Sequence, residues 1–170
     1  MAALLGGNLF GRVAMHPAVE GVCTPEERGK VVNAAWRRYG TINSLSLAAI
    51  LAGWGAARTS ETRGRFLNER ERNLARAKDV AVGAVTVTGI ASAVAGVRFG
   101  RAAPGGAVPL ESGSEAASGA SATQTRQKRA LNALGAASLA SEVALVAIQG
   151  AFAQEGFRRP PARRWLKRRY

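Results

Sequence analysis

Two ionisable side chains are placed where they could carry out acid–base chemistry, and the first is His16. This residue, the only histidine, precedes Pro17, and Glu20 follows it at a helical spacing of four. A histidine beside a carboxylate can act as a general base, and it can equally be a hydrogen-bonded interface residue. Both interpretations of His16 remain open at this point.

Glu142 is the second such side chain. It lies near the middle of residues 130–153, an apolar stretch that carries no other charge. A carboxylate at mid-membrane is costly, so it must face the interior of a bundle and be either protonated or paired. Polar side chains in neighbouring apolar segments are candidate hydrogen-bond partners: Asn43, Ser46, Thr86 and Thr88. An acid in this position is a functional-site hypothesis, and the alternative is a structural hydrogen bond between helices.

An amphipathic helix is predicted between the first two apolar segments. Thr24, followed by Pro25 and by Glu27 three residues on, is a capping-box start. Apolar side chains then recur on one face at i, i+3, i+4 and i+7: Val32, Ala35, Trp36 and Tyr39. We expect this helix to lie at the outer interface, where Trp36 and Tyr39 either anchor it at headgroup depth or roof a pocket.

These side chains make up one candidate site. His16 and Glu142 are its candidate catalytic residues. The candidate substrate contacts are the polar and aromatic side chains expected near them: Glu20, Trp36, Tyr39 and Asn43.

Four apolar segments must position this site: residues 1–15, 41–57, 80–97 and 130–153. The clearest is 80–97, because eighteen uncharged residues at about 1.5 Å each just cross a ~30 Å hydrocarbon layer. Each segment is predicted to be a helix, since an open strand would leave backbone groups unpaired in lipid. The first is short and contains Arg12, whose side chain could extend to the outer interface.

The two most basic segments, residues 58–78 and 158–170, each adjoin an apolar segment. Lysine and arginine next to membrane spans mark the cytoplasmic side and meet anionic headgroups there. The two segments can share that side because two crossings separate them, and a first crossing then places Met1 on the same side. We therefore expect a multi-pass protein of the cell membrane with residues 1–157 as the four-span domain, a basic tail at 158–170, and both termini cytoplasmic.

Charge and cysteine content bear on the other function classes. The net charge of +13 would suit a nucleic-acid partner, but no nucleic-acid-binding motif accompanies it, so we expect no such partner. Cys23 is the only cysteine, which excludes an internal disulfide and a cysteine-rich metal site. We expect no metal and no cofactor.

Residues 102–125, between the last two spans, are rich in glycine, serine and alanine. They contain almost no large apolar side chain that could be buried to order them. We expect a flexible outer loop and assign it no chemistry.

The order of these elements resembles the small four-helix membrane proteins of the anthrone-oxygenase-like family. The residues that carry the resemblance are a short first span ending in His16-Pro17-Ala18 and the stretch Trp36-Arg37-Arg38-Tyr39-Gly40 just before the second span. The resemblance implies a cofactor-independent oxygenase fold, which in some members acts on polycyclic aromatic anthrones and in most has no assigned activity. By position, it implies site roles for His16, Trp36 and Tyr39.

The predicted fold is an all-α integral membrane four-helix bundle with an outer interfacial helix. Two functions fit it: an oxygenase-like enzyme that holds a hydrophobic small molecule between its helices, and a non-catalytic membrane subunit or scaffold whose basic tail binds anionic lipid or an acidic partner. A proton-linked transporter is less favoured, because no internal repeat is visible. Assembly into a homo-oligomer is left open.

Overall fold

The computed structural model describes residues 1–60, 62–63 and 67–158, and it is helical almost throughout. Four helices run up and down in chain order: α1 (Ala2–Phe10), α2 (Pro25–Thr59), α3 (Glu69–Gly100) and α4 (Ala122–Phe157). A π-helical turn (Gly11–Met15), an α-helical turn (His16–Ala18) and a 3-10 turn (Val19–Gly21) follow α1. Within the described residues there is no β-strand, which agrees with the predicted all-α class.

The three long helices each begin at a side chain that caps a free backbone N–H. Thr24 accepts a hydrogen bond from the amide of Glu27 at 3.3 Å, so the predicted start of α2 is confirmed. Asn68 with Glu71 and Ser121 with Gln124 form reciprocal capping boxes at the starts of α3 and α4.

The predicted interfacial helix and the predicted second span are one continuous helix, α2. This corrects the expectation of a separate helix lying flat at the outer interface. The physical reason is that no proline follows Pro25 before the helix ends at Thr59, and the hydroxyl of Ser44 donates to the carbonyl of Gly40 at 2.9 Å within the helix, so the hydrogen-bond ladder continues. Trp36 and Tyr39 therefore extend from a helix that runs along the bundle.

Two of the described helices, α3 and α4, are long and apolar enough to cross a membrane. Only 17% of the apolar stretch of each is buried within the protein, whereas the core helix of a soluble protein is mostly buried. Large apolar side chains are exposed along α3, among them Val80, Val87 and Val97. Exposed apolar helix faces of this kind favour contact with lipid.

Helices α3 and α4 form an antiparallel hairpin, and α1 packs against both α2 and α4. One apolar cluster joins all four helices near the start of α1 and includes Leu4, Ile50, Val85 and Leu145. A second cluster lies at the opposite end, which we call the loop end because residues 101–121 cover it. Its buried members are Val19, Val32, Phe99, Val108 and Leu110.

Two apolar side chains of residues 102–125, Val108 and Leu110, pack into the second cluster, although the sequence indicated a segment with almost nothing to bury. Val108 and Leu110 are 0% exposed, and the amide of Leu110 donates to the carbonyl of Pro25 at 3.0 Å. Two apolar side chains are enough to attach this segment to the bundle, because the second cluster provides a site for them. Gly29 is essential to this contact, since a side chain there would collide with the carbonyl of Val108.

Candidate functional site

A group of buried and half-buried polar side chains links three helices, and we call its four residues the Glu142 layer: Asn8, Asn43, Ser138 and Glu142. The side-chain amide of Asn8 donates to Oε1 of Glu142 at 2.7 Å, and the hydroxyl of Ser138 donates to the same oxygen at 2.9 Å. Asn43 donates to Oδ1 of Asn8 at 3.2 Å. Glu142 is only 3% exposed. The predicted inward position of Glu142 is therefore observed.

Two acceptors of this layer lack a hydrogen-bond donor among the described residues. They are Oε2 of Glu142 and Oδ1 of Asn43, and both atoms are buried. A buried acceptor without a donor loses its bond to water and gains nothing in return. Two kinds of donor could therefore satisfy these acceptors. One is the O–H of a protonated Glu142 carboxyl group, and the other is a hydroxyl or amine of a bound molecule.

The partners of Glu142 differ from those that the sequence suggested. Thr86 and Thr88 donate to carbonyls of their own helix, at 2.7 Å each. Asn43 reaches Glu142 only through Asn8. The spacing of four residues between Ser138 and Glu142 on one helix could have identified that partner, whereas Asn8 lies in the shortest apolar segment and gave no such signal.

His16 lies at the loop end with both ring nitrogens occupied. The indole N–H of Trp36 donates to Nε2 of His16 at 3.2 Å, and Nδ1 lies 2.9 Å from the hydroxyl of Ser114. An indole N–H can only donate, so Nε2 is the acceptor and the neutral ring carries its proton on Nδ1. As a general base, His16 would first have to release Trp36.

The electrostatic surroundings of His16 favour its neutral form. Burial, followed by the positive charges of Lys128 and Arg12, lowers the pKa of His16 from 6.5 to about 4. Lys128 is itself 3% exposed and donates to the carbonyl of Gly113 at 2.5 Å. Asn132 donates to the carbonyl of Ser114 at 2.6 Å. The loop that touches His16 is thus held by α4.

Glu20 does not join His16, which corrects the predicted acid–base pair. The α-helical turn ends at Ala18 and a 3-10 turn follows, so the spacing of four does not place the two side chains together. Glu20 is exposed, and its backbone carbonyl accepts from Arg28 at 3.2 Å.

Trp36 and Tyr39 pack against α1 and the π-helical turn that follows it. The two rings meet edge to face, with centroids 6.0 Å apart. The hydroxyl of Tyr39 donates to the carbonyl of Ala3 and lies 3.4 Å from that of Leu4. A side chain on Gly11 would stand 2.6 Å from the Trp36 ring, so this glycine permits the close approach. Both aromatic side chains thereby fasten α2 to the first helical segment.

A second polar group, which the sequence reasoning missed, lies at the end opposite the loop end. Arg58 makes two hydrogen bonds to the carboxylate of Asp79, at 3.1 and 3.0 Å, and the indole of Trp54 donates to the same carboxylate at 2.8 Å. Lys78 donates to the side chain of Gln149 and lies over the Trp54 ring. The sequence does show that Arg58, Lys78 and Asp79 border predicted spans. It does not show which of them pair, because that depends on how the helices align.

No cluster of three metal-ligating side chains occurs in the part of the chain that the structure describes. The basic tail falls, from residue 159 onward, outside the described residues. Comparison with family models, with curated proteins and with solved structures finds no match to this chain.

Proposed function

We propose that the protein crosses the membrane four times and binds a hydrophobic small molecule at the Glu142 layer, with the oxygenase-like chemistry of the family that it resembles. The observation that carries this proposal is the pair of buried acceptors, Oε2 of Glu142 and Oδ1 of Asn43, that have no donor within the described residues. An intramembrane carboxyl with unused hydrogen-bonding capacity is typical of functional sites.

The proposed reaction begins with a proton transfer. Glu142, in its ionised form, takes a proton from the activated methylene carbon of an anthrone, and the electron pair left on that carbon reduces O₂. The methylene becomes a carbonyl and one water is released, so no cofactor is needed. Asn8 and Ser138 hold the carboxyl through Oε1, which leaves Oε2 to exchange the proton.

The proposed orientation places the loop end outside the cell. In support, residues 16–29 and 102–121, which the charge pattern assigns to one side, lie together at that end of the bundle. Arg58 and Lys78 lie at the other end, which the lysine and arginine content of residues 58–78 assigns to the cytoplasmic side. The partner of this domain is then the bilayer itself.

The alternative is a non-catalytic membrane subunit or scaffold, and one observation favours it. His16, Trp36 and Tyr39, the residues that the resemblance points to, bond to one another, to Ser114 or to the backbone of α1. In that arrangement all three serve packing. A catalytic role would then rest on Glu142 alone.

Oxygen uptake with anthrone by the purified protein in detergent separates the two functions. The enzyme hypothesis predicts uptake by the parent protein and none by Glu142→Gln, because glutamine keeps the shape but cannot exchange a proton. Glu115→Gln, which changes an exposed glutamate, is the matched control and should retain full activity. A folded parent protein that consumes no oxygen with anthrone would support the scaffold instead.

A further inference from the structure

A cavity of about 300 Å³ lies at the end of the bundle opposite the loop end. Its walls come from α2, from Met1 just before α1 and from Lys78 of α3, and the α2 residues include Ile50, Gly53, Trp54 and Ala57. Most of these side chains are apolar. Its volume is at the lower end of the range of small-molecule sites.

Among the described residues that line this wall, Lys78 alone has a charged side chain, and it is 8% exposed. Its ammonium group lies 3.9 Å from the centroid of the Trp54 ring and donates to the side-chain oxygen of Gln149. Neither partner carries a negative charge. A lysine has three N–H donors, so this group has further capacity for an acceptor.

The nearest carboxylate in the sequence does not neutralise Lys78. Asp79 is bound by both Arg58 and Trp54. Among the described residues, no carboxylate oxygen lies within ion-pair distance of Lys78. A buried cation without an anion is costly, and an anion that enters the cavity would remove that cost.

We infer that this cavity binds an amphiphile that has an alkyl chain and an anionic head. The carboxylate or phosphate of the head pairs with Lys78 beside the Trp54 ring, and the chain lies along the apolar wall at Ile50, Gly53 and Ala57. This site is separate from the Glu142 layer and does not depend on catalysis there.

Native mass spectrometry of the detergent-solubilised protein tests this site with palmitate as the probe. We expect saturable binding of palmitate and much weaker binding of hexadecanol, which has the same chain and a neutral head. Phosphatidate replaces palmitate in a second titration. Preference for palmitate identifies a fatty acid as the occupant, and preference for phosphatidate identifies a membrane phospholipid.

Two variants remove the head contact and the chain contact separately. Lys78→Met should weaken binding about tenfold or more, the scale of a charge-assisted hydrogen bond in a buried site. Lys30→Met, which changes an exposed lysine, is its control. Gly53→Leu should also weaken binding, because Gly53 lines the cavity and its added Cβ meets no atom within 4 Å, so the rest of the side chain can occupy cavity space. Gly55→Leu, equally unobstructed, is the second control.

Three results would overturn the inference. Hexadecanol binding as tightly as palmitate would show that Lys78 does not select an anion. Equal palmitate binding in Gly53→Leu and Gly55→Leu would place the chain elsewhere. Competition by inorganic phosphate as strong as by phosphatidate would show an anion site without a chain site.

Discussion

Asn8 and Glu142 are joined by a hydrogen bond of 2.7 Å, although 134 residues separate them in the sequence. The bond connects the first helix to the last across an apolar interior. It also explains how the shortest helix is held in the bundle. Asn8 accepts from Asn43 in turn, so the same side chain connects α1 to α2.

Asn8→Ala should destabilise the protein more than a comparable exposed change. It removes the donor to Glu142 and leaves the side-chain amide of Asn43 without its acceptor, at a cost of about 1–3 kcal/mol for unsatisfied buried groups. Thermal unfolding in detergent measures the effect. Asn73→Ala, at an exposed position on α3, is the control. Equal stability of the two variants would show that the Asn8 bond contributes nothing.

The stability of the folded protein should fall as the pH falls through the range in which the unfolded chain binds a proton at His16. The pKa of His16 is about 4 in the folded protein and 6.5 ordinarily, so between these values only the unfolded state is protonated. The contribution of the neutral His16 ring to the free energy of unfolding is present above pH 6.5 and is lost as the pH approaches 4.

Unfolding temperatures at about pH 7 and about pH 5 check this dependence. His16→Gln should show a smaller decrease between the two conditions than the parent protein. An equal decrease in both proteins would assign the dependence to other groups.

Gly11→Ala should loosen the contact between α2 and the turn after α1. The added methyl group would stand 2.6 Å from the Trp36 ring, which must move and so weaken its bond to His16. Near-ultraviolet circular dichroism and tryptophan emission, to which Trp36 contributes, report the displacement. Gly6→Ala is the matched control, because nothing lies within 4 Å of its added atom. Identical spectra for both variants would contradict the close approach.

Much of the fold could be predicted because it depends on local pattern. The start of α2 follows from Thr24 and Glu27, and the apolar runs at 80–97 and 130–153 fall inside α3 and α4. The shared face of Trp36 and Tyr39 also holds, since Tyr39 meets α1 and Trp36 meets the π-helical turn that follows it. The prediction that the interfacial helix ends before residue 41 and a separate span begins there was wrong. Polar side chains alone do not end a helix.

The candidate site was less predictable because its contacts depend on how distant helices align. The bonds from Asn8 to Glu142 and from Arg58 to Asp79 require a register between helices that no spacing in the sequence reveals. The packing of Val108 and Leu110 depends likewise on a space formed by other segments. Glu20, by contrast, was misplaced by a local effect, the tightening of the helix after Ala18.

The Glu142 layer lies inside the membrane only if all four helices cross one bilayer. Cysteines placed singly at Ser60 and Ser118, both exposed, test the crossing by α3 in a Cys23→Ser background, and the native Cys23, which is exposed and should label like a cysteine at Ser118, tests the crossing by α2. In intact cells, a membrane-impermeant thiol reagent should label the cysteine at Ser118 and should leave the one at Ser60 unlabelled until the membrane is opened. Equal labelling of both positions in intact cells would contradict the four-crossing bundle.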